Sequence, residues 1–335
     1  MSTSAVSQPM PHARSSSRWS GRSRGRVIGN RIFVGLVRRC GLRCAYALLV
    51  PVSFYYLLFA PSARRASCAY QRRLMGSRRR SSPVRVLAEL VGAYRHFYSF
   101  GRILLDRVAI AGKGVCRFRF EFDGEEYIRS ALREGKGAVL VTAHVGNWGT
   151  AAHLLRRLEA PVNIVALKAE EQRLQQYFDR VIDNRHLTII PADGSSEAAL
   201  AIMAALKRGE LVAIQADRFL DAQTADGAES SVGARHREEM IPFLGAPARF
   251  STGPFVTAAV AGAPLIHAFA IREGAYRYHL RAFPPERVAF GDRQDRARML
   301  REWMGLFVQR LEGTLREHPL QWLNFYDFWE RKDKA

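Results

Sequence analysis

Two stretches of this sequence end in the same way, and together they constrain the fold more than any other feature. Ala131-Leu-Arg-Glu-Gly-Lys-Gly-Ala-Val-Leu-Val-Thr-Ala-His144 and Ala205-Leu-Lys-Arg-Gly-Glu-Leu-Val-Ala-Ile-Gln-Ala-Asp217 each read as a helix end, a glycine stop, a buried strand and one polar residue just past it. Near-continuous apolar strands fed by helices are buried on both faces, as in a parallel sheet covered by helical layers. In open α/β sheets, sites collect beyond the carboxyl ends of the strands. The repeated pattern therefore predicts that His144 and Asp217 stand together, within hydrogen-bond reach or one water of it.

The rest of the chain supports an α/β fold, a mostly parallel central sheet flanked by helices. Apolar spacing predicts a helix over 83–110, a short strand over 115–122 and a helix over 127–134, stopped by Gly135. Strands at 138–143, 162–167, 187–190 and 211–215 alternate with helices at 150–158, 170–183 and 196–207. The last of these helices is capped by Ser195 or Ser196. A helix at 254–261, strands at 265–271 and 276–283 joined by Glu273-Gly274, and a long amphipathic helix at 295–317 complete the pattern.

Charge divides the chain unevenly. Residues 1–88 hold 17 Arg and no Lys, Asp or Glu, whereas the remaining 34 Lys and Arg face 31 Asp and Glu. The basic excess thus sits in an N-terminal arm suited to a polyanion. Cys44 to Ala60 is uncharged and apolar, broken by Pro51 and carrying Tyr46, Tyr55 and Tyr56. Arginines on both flanks favour keeping both ends in the cytoplasm, so the segment should dip into an anionic membrane surface, with a short single span as the alternative. Nucleic acid is not expected as a partner, because no recognition helix accompanies the arginines. The expected organisation is a disordered basic arm (1–30), a membrane-associated helical segment (31–82) and an α/β domain (83–335). Cys40, Cys44, Cys68 and Cys116 form no CxxC or metal spacing, so neither a disulfide framework nor a metal site is expected.

A histidine at a strand–helix junction can act as a base, a neighbouring carboxylate can orient it, and nearby backbone N–H groups can hold a developing oxyanion. Val145-Gly-Asn-Trp-Gly149 supplies two glycines for close backbone approach and one side-chain amide.

These residues carry a resemblance. Thr142-Ala-His-Val-Gly-Asn-Trp148 resembles the HxGNW signature of the lipid A biosynthesis acyltransferase family. Gln215-Ala-Asp-Arg218, Ile241-Pro-Phe-Leu-Gly-Ala-Pro-Ala-Arg-Phe-Ser-Thr-Gly-Pro254 and Pro319-Leu-Gln-Trp-Leu-Asn-Phe-Tyr-Asp-Phe-Trp329 resemble its later motifs in the right order. The Asp217-Arg218 pair and the aromatic ending look closest to predicted acyltransferases of aryl-polyene and related pigment pathways.

The resemblance implies transfer of a fatty acyl chain from acyl carrier protein or acyl-CoA to a hydroxyl of a lipid or amphiphilic acceptor, at the cytoplasmic face of the inner membrane. No cofactor is implied beyond the thioester carrier. His144 would be the base and Asp217 its charge partner. Gly146, Asn147 and Trp148 would line the substrate site. Arg218 would meet phosphate or the carrier's phosphopantetheine, and Arg249 an anionic head group. One position departs from the family pattern: Gly149 stands where the family carries an acid, five residues after the histidine. That leaves Asp217 to supply the carboxylate, His144 to work without one at reduced rate, or the chain as a weak or inactive scaffold of the same fold.

Overall fold

The computed structural model describes residues 27–76, 82–110, 117–149, 158, 160–166, 187–218, 238–292 and 294–329. The expected helix at 170–183, nearly all of that at 150–158, most of the basic arm, Cys116 and His153 lie outside that set. Cys40, Cys44 and Cys68 are free thiols.

Among the described residues there are nine strands: β1 (Arg119–Asp123), β2 (Ala138–Thr142), β3 (Val162–Ala166), β4 (Leu187–Pro191), β5 (Leu211–Gln215), β6 (Glu238–Phe243), β7 (Ala246–Ser251), β8 (Leu265–Arg272) and β9 (Arg277–Ala282). Seven form one sheet in the order β1-β9-β8-β2-β5-β3-β4, and β6 with β7 forms a separate antiparallel hairpin. The run β8-β2-β5-β3-β4 is parallel throughout. β9 turns back antiparallel to β8, and β1 pairs parallel to β9. The sheet is thus mixed at one edge and parallel where the two repeated segments lie. There β2 and β5 are direct neighbours, with Thr142 opposite Gln215.

Helices α4 (Glu125–Arg133), α5 (Ser196–Lys207), α6 (Gly253–Ala261) and α7 (Arg296–Glu317) follow the sequence pattern within a residue or two. Ser195 is the cap of α5, its hydroxyl accepting from the Ala198 N–H at 3.1 Å. Val139, Val141, Val212, Phe269, Phe307 and Leu311 bury one sheet face against α6 and α7. Leu140, Leu211, Ile266, Ala268 and Leu280 bury the other. The split follows from the strand's two-residue period: Val139 and Val141 point one way, Leu140 the other.

The N-terminal helices are α1 (Val27–Phe59), bent at Gly41 (φ 81°, ψ 175°), α2 (Pro61–Leu74) and α3 (Pro83–Ile110). Leu42, Ala45, Leu49 and Ser53 form one buried stripe of α1, and the first three pack with Leu105, Ala109 and Ile110 of α3. Gly101 permits this contact, since a Cβ there would lie 2.4 Å from Leu49 Cδ1. The opposite face of α1 is also apolar, with Val50, Phe54, Tyr55, Leu58 and Phe59 exposed.

Candidate active site

The register of β2 and β5 fixes what happens beyond them. Thr142 and Gln215 are paired, and the Ala216 N–H donates to the Thr142 carbonyl at 2.9 Å. Two residues past each strand end stand His144 and Asp217. The His144 Nδ1 lies 2.8 Å from Asp217 Oδ1, and the His144 backbone N–H donates to Oδ2 at 2.9 Å. A carboxylate only accepts, so the ring proton resides on Nδ1 and Nε2 carries the lone pair. Both residues are buried, at 4% and 1% exposure.

A third donor was not foreseen. The Trp322 indole N–H donates to Asp217 Oδ2 at 3.1 Å. Burial alone would push the Asp217 carboxyl up, but the charge and hydrogen bonds of His144, with Arg218 nearby, outweigh it and hold the group below its ordinary value. Trp322 read as part of an aromatic cluster, and it does pack against Tyr70, Phe243, Phe328 and Trp329. The available signal was its indole N–H: a buried tryptophan usually finds an acceptor.

The turn after His144 is pinned from two sides. Gly146 adopts φ +57°, and a Cβ there would sit 2.0 Å from the Ala270 carbonyl oxygen. No other residue fits that approach. The Gly146 N–H donates to the Gln321 carbonyl at 2.7 Å, and the Asn147 N–H to the Ala270 carbonyl at 2.9 Å. The Leu323 N–H returns a bond to the His144 carbonyl at 2.7 Å. Residues 321–323 thus form a strap across the site.

Helix α3 braces the same turn through Arg107 and the sheet edge through Asp106. Arg107 Nε donates to Asn147 Oδ1 at 2.7 Å, and its guanidinium lies 5.3 Å from the centre of the Trp148 ring. The buried Asp106 carboxylate accepts from Arg272 Nε at 2.7 Å, from the Tyr278 hydroxyl at 2.5 Å and from the Tyr46 hydroxyl of α1. This ties α1 and α3 to β8 and β9. Breaking one partner of such a buried network costs about 3–5 kcal/mol.

The other expected site residues separate into two groups. Gly146, Asn147 and Trp148 surround the turn; Asn147 is fully buried, and its carbonyl oxygen serves Arg107. Arg218 Nη2 donates to the Leu323 carbonyl at 3.2 Å, so it holds the strap as well as facing Asp217. Arg249 stands apart on β7, where its guanidinium pairs with Glu238 at 3.5 Å. The hairpin itself touches the site through its backbone, the Ser251 N–H donating to the Ala216 carbonyl at 2.9 Å. An apolar pocket opens on the sheet face beside the pair, lined by Leu140, Thr142, Trp148, Ile164, Gln215, Ala270 and neighbouring side chains. Gly149 is buried at the start of the next helical turn and brings no carboxylate.

Known proteins resemble this chain over part of their length. The phosphatidylinositol mannoside acyltransferase of Mycobacterium tuberculosis is 24% identical across 207 residues, which cover 62% of this chain and 58% of that protein. That of Mycolicibacterium smegmatis is 25% identical across 170 residues, 50% of each chain. The chain therefore spans between half and three fifths of the curated relatives it matches. Residues 93–331, which hold the whole sheet, the His144–Asp217 pair and the strap, match the bacterial lipid A biosynthesis acyltransferase family, and the chain belongs to that family.

Proposed function

We propose that this protein transfers a fatty acyl chain from a thioester donor, acyl carrier protein or acyl-CoA, to a hydroxyl of a lipid or amphiphilic acceptor. The observation that carries this reading is the 2.8 Å contact between His144 Nδ1 and Asp217 at the ends of adjacent parallel strands. Asp217 holds the proton on Nδ1, so Nε2 is the atom that accepts the hydroxyl proton. The oxygen attacks the thioester carbonyl and a tetrahedral intermediate forms. Its collapse expels the thiolate, which recovers the proton from His144, leaving an ester and a free thiol. The apolar pocket near the strand ends, about 30 Å³ as it stands, would have to widen to take the acyl chain. Asp217 replaces the acid that Gly149 lacks.

The family and the named activity of the mycobacterial relatives support a glycolipid hydroxyl as acceptor; an aryl-polyene pigment is the alternative, supported by the Asp217-Arg218 pair and the aromatic ending alone. Membrane attachment fits α1. Arg31–Phe59 is, among the described residues, the one helix long and apolar enough to cross a bilayer. Because one stripe of it is packed on α3 while its outer apolar face is exposed, an in-plane seat on the cytoplasmic leaflet suits it better than a free span. The flanking arginines would face anionic head groups.

The test is thioester turnover with palmitoyl-CoA and palmitoyl-acyl carrier protein, comparing wild type with His144→Ala. Loss of turnover in the variant is expected; equal rates would end the catalytic reading. Gly149 favours one second reading, a non-catalytic membrane scaffold, which predicts no turnover with either donor. Lipid and pigment profiling of a strain lacking the protein would name the acceptor.

A further inference from the structure

We infer that Gln215 donates a hydrogen bond to the acyl carbonyl oxygen of the bound donor and holds the oxyanion as that carbonyl is attacked. This rests on the acyl-transfer reading above and adds a catalytic residue to it.

Three observations lead there. First, the Gln215 Nε2 is buried and has no hydrogen-bond partner among the described residues. Buried amides are nearly always satisfied, and an exception calls for an explanation, a ligand being the simplest. Second, Gln215 lines the apolar pocket, whose other walls are Leu140, Ile164, Ala213, Ala268 and Leu280. A donor left open in an apolar lining is matched to one polar atom on an otherwise greasy molecule. An acyl thioester presents one such atom, its carbonyl oxygen, at the head of an apolar chain for which the pocket, about 30 Å³, would have to widen. Third, Gln215 occupies the last position of β5, two residues before Asp217, directly across from Thr142, itself two residues before His144. The polar end of the pocket is therefore the end at the His–Asp pair, where the carbonyl has to sit for attack.

In the transition state the carbonyl oxygen gains negative charge as the acceptor oxygen bonds to carbon. A fixed amide N–H inside a water-poor pocket stabilises that charge more than it stabilises the ground-state carbonyl. The effect should therefore fall on kcat rather than on KM.

The discriminating variant is Gln215→Met, similar in length and unable to donate. Expected is a fall in kcat of about 10²–10³-fold with KM changed only a few-fold, using palmitoyl-CoA and palmitoyl-acyl carrier protein as donors. The thermal midpoint should hold or rise, because an unsatisfied amide is removed from the interior. A structural glutamine would give the opposite, a lowered midpoint accompanying any loss of rate. A second readout needs no turnover: the ¹³C-labelled thioester carbonyl band of palmitoyl-CoA bound to His144→Ala should lie at lower wavenumber than in the doubly substituted Gln215→Met protein. Wild-type turnover with a Gln215→Met rate within threefold and an unshifted band would overturn this assignment alone. Failure of the wild type to turn over either donor would overturn the acyl-transfer reading and this assignment with it.

Discussion

Two buried histidines stand on either side of Trp322, and they are built for opposite ends. His144 reaches Trp322 through a carboxylate: indole N–H to Asp217, Asp217 to imidazole. His96 of α3 reaches the same residue through its backbone, Nε2–H donating to the Trp322 carbonyl at 2.7 Å while Nδ1 accepts from the Ser67 hydroxyl at 2.9 Å. Among the described residues no carboxylate bonds to His96, and full burial pulls its pKa down to about 4. It stays neutral and links α2, α3 and the strap. Burial by itself therefore keeps a histidine neutral; what separates His144 is the carboxylate bonded to its ring. His267 repeats the lesson on β8, where burial, with the Arg310 charge beside it, lowers it to about 3.

That contrast can be broken in steps. The largest effect is expected from His144→Ala, with kcat reduced by about 10³–10⁴-fold in steady-state assays and the fold retained by circular dichroism. Asp217→Asn should come next, about 10³-fold, because it gives His144 a neutral neighbour. It should also remove an acid-dependent stability term. A carboxyl lowered in the folded state stabilises above its unfolded pKa and loses that contribution as pH falls through the folded value. The variant's thermal midpoint should thus depend less on pH on the acid side.

His96 tests the other half. Its folded pKa lies below its unfolded value near 6.5, so the unfolded chain binds more protons between about 6.5 and 4. Stability is whole above that window and falls by about 3 kcal/mol across it as the pH drops. His96→Gln should flatten part of that slope in denaturation curves, His267 accounting for the remainder, with kcat at neutral pH changed only a few-fold. A catalytic loss as large as that of Asp217→Asn would erase the distinction between the two histidines. Among the substitutions at the His144–Asp217 pair, the smallest effect is expected from Trp322→Phe, which keeps a ring but removes one of three donors to Asp217. About a tenfold fall in kcat is expected, with the acid limb of the pH–rate profile moved upward.

Much of this was legible in the sequence because strand burial and helix spacing leave local marks. The β2 and β5 runs, the Ser195 cap and the long α7 helix follow from residues next to one another, and the matched ends of two parallel strands put His144 beside Asp217. Other features are set by residues far apart. β1 was expected from 115, whereas the described strand is Arg119–Asp123, held parallel to Arg277–Ala282 at a sheet edge. The β6–β7 hairpin was read only as a motif, since Pro242 and Pro247 argue against strands; they stand opposite each other in an isolated two-stranded pair, where a missing N–H is tolerated. Gln321, Trp322 and Leu323 look like a packed aromatic ending until the fold lays them across His144. Arg107 and Asp106 were hidden in a helix whose apolar stripe dominates its pattern.

The strap also sets an order of events during synthesis. The apolar half of α1 leaves the ribosome long before residue 323, so on the proposed reading the nascent polypeptide would meet a bilayer while His144 still lacks part of its surroundings. Only when Gln321, Trp322 and Leu323 have emerged and closed over the turn does the imidazole acquire its final surroundings. On the proposed reading the site is completed late, and a ribosome stalled short of that point would leave His144 without its strap.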